Sequence, residues 1–214
     1  MTKKILMAMV VVLIAFNIAV YGYMFANETG SAWSPPPSNT GTISSIPIDQ
    51  LIVCGGSAFL LSFSEYQKYL HFFEKNDTEQ SASIIQDTYN QIAIAYMNFT
   101  QAYQQTVGIK CDPEIIEALS NFDYETYKLD NALIEEIFNT VKGYLKDCKI
   151  NSWYLYIALR MGKIMDELNI IKTTIEQGKT PNLSLMWRLN QEFMRVSLEG
   201  QYCAEIFINA TKKL

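Results

Sequence analysis

Between residues 52 and 210 apolar side chains recur every three or four positions, and five stretches carry the pattern cleanly. The first runs Ile52, Gly56, Phe59, Phe63, Tyr66, Leu70, Phe73. Steps alternating between four and three place all seven on one face of a helix. A second stretch, residues 78–107, turns Ile85, Ile92, Phe99 and Ala102 inward. Asp77 stands where it can cap this helix, Gln80 occupies the capping-box position, and Gly108 ends it. Asp112-Pro113 then suits the start of a short helix, with aspartate as cap and proline at the first helical position. A third stripe, beginning near Asp130, is Ile134, Ile137, Val141, Tyr144, Cys148. A fourth is Tyr154, Ile157, Met161, Ile164, Leu168, Ile171, Ile175, and the last is Met186, Leu189, Phe193, Val196, Gly200, Cys203, Phe207, Ala210.

The third and fourth stripes are out of phase, which predicts a kink or break near Asn151-Ser152. Gly178-Lys179-Thr180-Pro181 supplies a stop, a cap and a new start in four residues. Residues 121–130 form a polar, aromatic connector with no clear period. No strand-like alternation competes with these stripes. The pattern predicts an all-α fold: an antiparallel helical bundle of four to five long helices, with hairpins near 75–78 and 178–181 and shallow crossing angles of about 20°.

Ahead of the bundle the character changes twice. Lys3 and Lys4 precede residues 5–25, an apolar run of 21 residues without a charge. A bilayer-spanning helix needs about 20 such residues. Tyr21 and Tyr23 sit where an outer aromatic belt falls, and the two lysines fit a cytoplasmic start. Residues 1–26 therefore read as a signal-anchor transmembrane helix, with a signal peptide cleaved near Val20-Tyr21-Gly22 as the alternative. Residues 27–49 are rich in Ser, Thr, Gly and Pro, and Pro35-Pro36-Pro37 excludes helix. They read as a flexible linker, leaving residues 50–214 as the folded unit. The run LIVCGGSAFLLSF, residues 51–63, is not a second span, because its 13 residues fall short of the length required. It is not a lipid-attachment site either: Cys54 lies far past the N-terminal segment and follows the bulky Val53. It reads as the start of the first bundle helix, with Gly56 on the core face allowing a neighbour to approach closely.

Composition agrees with an exported globular chain. Apolar residues make up 49% and charged residues 18%, with a formal net charge of −5. A mildly acidic chain without a basic cluster is unsuited to nucleic acid, whose binding rests on phosphate neutralisation. Cys54, Cys111, Cys148 and Cys203 all follow the export segment and contain no CxxC pair, which argues for structural disulfides over zinc or thioredoxin-type chemistry. If the helices alternate up and down, Cys54 and Cys111 meet at one end, so the expected pairs are 54–111 and 148–203. The second needs the break near residue 151 to absorb an offset. Five sequons begin at Asn27, Asn76, Asn98, Asn182 and Asn209. They are candidate glycosylation sites if the host glycosylates exported chains, Asn76 foremost because it falls in a turn.

Few residues suggest catalysis. The one histidine, His71, points off the core stripe, and residue 68 is lysine, so the Glu-x-x-His motif of di-iron bundles is missing. No GxSxG, phosphate loop, dinucleotide fingerprint or CxxCH occurs. Glu135-Glu136 and Asp166-Glu167 are adjacent pairs that read as solvated faces. No enzyme activity, cofactor or metal is expected. Aromatics are the one enrichment. Tyr89, Tyr96 and Tyr103 recur at seven-residue spacing, and residues 153–156 read WYLY. Tyr89, Tyr96, Tyr103, Trp153, Tyr154 and Tyr156 are thus a candidate face for a protein partner, set against plain boundary packing. Met161, Met165, Met186 and Met194 fill core or line an apolar pocket. The expected function is a non-catalytic, membrane-tethered or secreted interaction module; the alternative is a carrier holding an apolar small molecule or lipid inside the bundle. Cytokine-type signalling fits less well, since those bundles use long crossovers.

Overall fold

The computed structural model describes residues 46–212, except 76, 128 and 130. The expected anchor and most of the linker, with Asn27 and Asn76, lie outside these. The chain is all-helical: α1 (Ile48–Glu74), α2 (Thr78–Thr106), α3 (Pro113–Ser120), a 3-10 turn (Tyr124–Thr126), α4 (Ala132–Leu145), α5 (Ile150–Glu176) and α6 (Leu183–Thr211). No strand occurs among the described residues, and none of their helices is long and apolar enough to cross a membrane.

Local chemistry sets most helix boundaries. The Asp77 carboxylate accepts from Gln80 N–H at 3.2 Å, and Asp112 accepts from Glu114 N–H at 3.1 Å with Pro113 behind it. Gly108 and Gly178 take φ of +79° and +68° where α2 and α5 end. Two boundaries differ from expectation. Helix α6 begins two residues later than Pro181, because the Asn182 side-chain oxygen accepts from both Ser184 and Leu185 N–H and so becomes the cap. The break between α4 and α5 falls before residue 150, not at 151–152. There Cys148 N–H donates to Leu145 and Lys149 N–H to Tyr144, each at 2.8 Å, with Cys148 at φ +49°. Gly178 and Lys179 close α5 with the same pair of bonds, to Ile175 and Thr174. A cysteine thus holds the left-handed position that glycine holds elsewhere, at a cost of about 1 kcal/mol.

Helix α1 packs on α2, α2 on α5, α5 on α6, and α6 closes on α1, while α3 and α4 lie against α6. Neighbours run oppositely. Gln105 of α2 donates to the Ile46 carbonyl at one end, and the Ser62 hydroxyl donates to the Thr88 carbonyl further along. The buried face includes the expected Ile52, Gly56, Phe59 and Tyr66 but is wider, taking in Leu51, Gly55, Ala58 and Tyr69, because α1 serves both α2 and α6. A close approach falls at Gly55, beside the buried Gly56: a Cβ at Gly55 would stand 2.8 Å from the Phe99 ring and 3.1 Å from Asn98 Cβ. On the α6 side large rings fill the space. Phe193 packs against Phe59, Phe63 and Tyr66 with centroids 5.7, 5.4 and 5.2 Å away, and the buried Tyr66 hydroxyl donates to the Met186 carbonyl at 2.7 Å. The connector at 121–130 is an aromatic plug, in which Phe122, Tyr124 and Tyr127 pack with Phe138 and Tyr202.

One disulfide is present, and it joins Cys111 to Cys148 with Cα atoms 6.3 Å apart. The expected pairs 54–111 and 148–203 are corrected. Cys54 follows Ile52 by two residues, about 200° around the helix, and so faces solvent. Cys203 is buried in the core near Tyr124 and Tyr154, turned away from the break. The turn after α2 and the break before α5 lie at one end of the molecule, where Cys111 and Cys148 meet.

Two glycine substitutions are expected to act with opposite signs. Gly55→Ala forces the buried Phe99 aside and destabilises by about 1–3 kcal/mol. Gly143→Ala, with nothing within 4 Å, gains helix propensity of about 1 kcal/mol. Thermal unfolding of the full chain in detergent reads both, and equal effects would contradict the packing. Non-reducing peptide mapping should recover the 111–148 peptide. Cys54 should alkylate in the native protein and Cys203 only after unfolding, since burial pushes the Cys203 thiol up to about 12.

Candidate functional site

The most unusual chemistry is a buried charge cluster where α4, α5 and α6 meet. The chain has three arginines, and each reaches a carboxylate on another helix. Arg160 of α5 pairs with Glu192 and stands 3.5 Å from Glu199, both on α6. Arg195 of α6 bonds Glu199 at 3.2 Å within its own helix and Glu136 of α4 at 2.6 Å. Arg188 of α6 meets Glu167 of α5 at 3.0 Å. The Tyr156 hydroxyl donates to Glu199 at 2.8 Å and accepts from Arg160 at 2.7 Å.

Glu199 is fully buried. Its second carboxylate oxygen has no hydrogen-bond partner, and the same holds for one oxygen of Glu167. Burial raises the Glu199 carboxyl above its ordinary value; the nearby Arg160, the Tyr156 hydrogen bond and Arg195 oppose it. Burial, with Glu199 adding to it, pushes the Tyr156 phenol up to about 12, so it remains a proton donor at neutral pH. A charge without its partner is costly at such a site, so the cluster fixes the register of three helices rather than adding much net stability.

Of the two adjacent pairs expected to be solvated, Glu135, Glu136 and Asp166 are exposed, with Glu136 also reaching Arg195, whereas Glu167 is buried beside Arg188. Glu199 was missed, although a signal exists. It lies three residues after Val196 and four before Cys203, on the core face.

The six aromatic candidates occupy the core and the helix seams. Trp153 and Tyr154 are buried, so they belong to the core and not to an exposed face. Tyr96 lies over Gly162, where a Cβ would meet its ring at 3.4 Å, and Tyr89 has the Lys172 ammonium 5.9 Å from its centroid. Tyr103 is half-buried against the core, and Tyr156 serves Glu199. The structure exposes a different row. Leu183, Trp187 and Met194 are 59%, 62% and 44% exposed and share one side of α6, with the half-buried Asn190 between them accepting from the Gln67 amide of α1. Sequence periodicity passes through the neighbouring Met186, Leu189 and Phe193, so nothing in the core pattern marks this row.

Among the sequons, Asn182 is exposed in the turn before α6, Asn209 is exposed and bonded by Lys212, and Asn98 is half-buried with its amide donating to the Ile94 carbonyl. His71 is exposed. Among the described residues no group of three or more His, Cys, Asp or Glu could hold a metal. A cavity of about 20 Å³ lies beside the disulfide, lined by Thr106, Ile109, Lys110 and Ile150, and has room for about one water. No protein-family model matches the chain, no curated protein matches it, and no solved structure matches it.

The raised Glu199 carboxyl gives a signed pH dependence. A group whose folded value lies above its unfolded value favours the native state at low pH, and this contribution is lost as pH rises through the folded value. Glu199→Gln lacks that step. The stability of the natural protein relative to Glu199→Gln is therefore expected to fall as pH rises from about 4 towards 7. Urea unfolding at stepped pH checks this, and a gap widening in favour of the natural protein over that range would contradict it.

Proposed function

We propose that this chain is a non-catalytic, exported module, an antiparallel bundle of four long helices tethered to a membrane by residues 5–25 and acting through protein–protein contact. The observation that carries the reading is the outward stripe of Leu183, Trp187 and Met194 on α6. An exposed tryptophan flanked by aliphatic side chains at helical spacing is the composition of an interface anchor, where tryptophan supplies a disproportionate share of binding energy. Two further points support it. The Cys111–Cys148 bond fits an oxidising compartment outside the cytosol. The Arg160, Arg188 and Arg195 pairs hold α6 in register against its neighbours, and a rigid helix face loses little entropy on binding.

The test places a photo-reactive phenylalanine analogue at position 187 in cells, with position 166, exposed on α5, as the control. A discrete adduct at 187 and none at 166 is expected. Adding Leu183→Asp and Met194→Asp should remove the adduct while helix content stays unchanged. Trp187→Ala should weaken the contact by about 2 kcal/mol, roughly thirtyfold. Diffuse labelling at both positions would reject the interface, and a lipid retained in native mass spectra of the purified chain would move the reading to a carrier.

A further inference from the structure

We infer that the turn Val107-Gly108-Ile109, together with Ile46, is an apolar tip that rests in the lipid–water interface of the bilayer spanned by residues 5–25. This rests on the tethered reading above and adds how the folded part sits on the membrane. Ile46 is where the chain arriving from residues 1–45 joins the fold, and the Gln105 side chain fastens it to the last turn of α2 by donating to the Ile46 carbonyl at 2.9 Å. Two residues on, Val107 leaves the helix, Gly108 turns the chain at φ +79°, and Ile109 N–H donates back to Thr106 at 3.0 Å. Ile46, Val107 and Ile109 are 48%, 57% and 49% exposed, three aliphatic side chains presented to solvent at one end of the molecule.

The surface beside the tip is suited to a low-dielectric boundary. No charged residue occurs in α1 between Asp49 and Glu65, in α2 between Asp87 and the turn's own Lys110, or in α5 between Lys149 and Arg160. Those stretches bring no ion of their own towards lipid headgroups, and the charges at that end include Asp49 in the first turn of α1, the exposed Glu114 and Glu117 of α3, and the residues flanking Cys111 and Cys148. The turn is also tied down, since Cys111, two residues past Ile109, is bonded to Cys148. Lys110 and Asp112 flank it with opposite signs, and Asp147 at the same end is paired with Lys149 at 2.6 Å. The attraction is therefore to the interface itself and not to anionic headgroups.

The tether makes a small patch sufficient. Twenty residues separate the end of the expected span at residue 25 from Ile46, and a flexible chain of that length has a root-mean-square reach of about 25 Å. A patch held that close to its surface works at an effective concentration in the millimolar range, where weak burial decides occupancy.

The experiment uses the full chain with Cys54→Ser and an environment-sensitive fluorophore on Ile109→Cys, and on Ser83→Cys at the far end of α2 as control. The chain is reconstituted into phosphatidylcholine vesicles, with and without an equal part of phosphatidylglycerol, carrying a lipid brominated near the headgroup. The label at 109 should shift to the blue and lose intensity to the brominated lipid, equally in both lipid mixtures, while the label at 83 does neither. With the label moved to Ile46→Cys, Val107→Asp plus Ile109→Asp should abolish the quenching although the chain remains in the carbonate-washed membrane pellet. A chain that stays in that pellet with a water-exposed label at 109 overturns the tip and leaves the tether standing. A label shielded without lipid quenching overturns it in favour of a protein or a second copy. Release of the chain by carbonate overturns the tether itself.

Discussion

Helix α2 is gripped from two sides, and the rest of the arrangement depends on that grip. Gly55 of α1 receives the Phe99 ring, and Gly162 of α5 receives the ring of Tyr96. Both rings come from one helix at positions three apart, so α2 cannot shift along its axis without losing both seats at once. Close contact on these two seams leaves α6 to be held at a greater distance. Phe193 and Tyr66 fill the gap to α1 with rings, and arginine–carboxylate pairs span the gap to α5. The same fold thus uses absent side chains on one side and long ones on the other.

That division explains why the buried charges sit where they do. A seam closed by glycine and alanine has no room for a guanidinium, whereas the wider α5–α6 seam admits Arg160 and the Tyr156 hydroxyl around Glu199. Van der Waals packing fixes how near α2 lies to its neighbours. Hydrogen-bond geometry fixes which residue of α6 faces which residue of α5, because a buried carboxylate is stable only beside its donors.

Much of the fold was legible as periodicity. The last two stripes are buried as the spacing predicts except at Ile175, Gly200 and Ala210, which are half-buried, and the caps at Asp77 and Asp112 form as their side chains dictate. What failed turned on geometry that spacing does not encode. The α4–α5 break is set by Cys148 in a left-handed conformation, a position that sequence rules assign to glycine or asparagine. The cysteine pairing followed from placing residues at the correct end of the bundle while ignoring which way they face, and the angle between Ile52 and Cys54 already argued against it. Within the candidate face, Trp153 and Tyr154 are buried. A seven-residue tyrosine row identifies one side of α2 but not the neighbour that covers it, and α5 covers it at Gly162. Glu199 was visible as a carboxylate on an apolar stripe, and its donors, 43 and four residues away in Tyr156 and Arg195, were not.

The cross-link between residues 111 and 148 has a topological consequence. It closes α3, the aromatic plug and α4 into a covalent ring that begins and ends at one edge of the molecule. The ring holds the least regular backbone among the described residues, the stretch between α3 and α4. One peptide bond broken there opens the ring without dividing the polypeptide. Both ends remain attached through sulfur, and the α4 surface that meets Arg195 is not released. A cut anywhere between residues 111 and 148 is therefore one that the molecule survives in one piece.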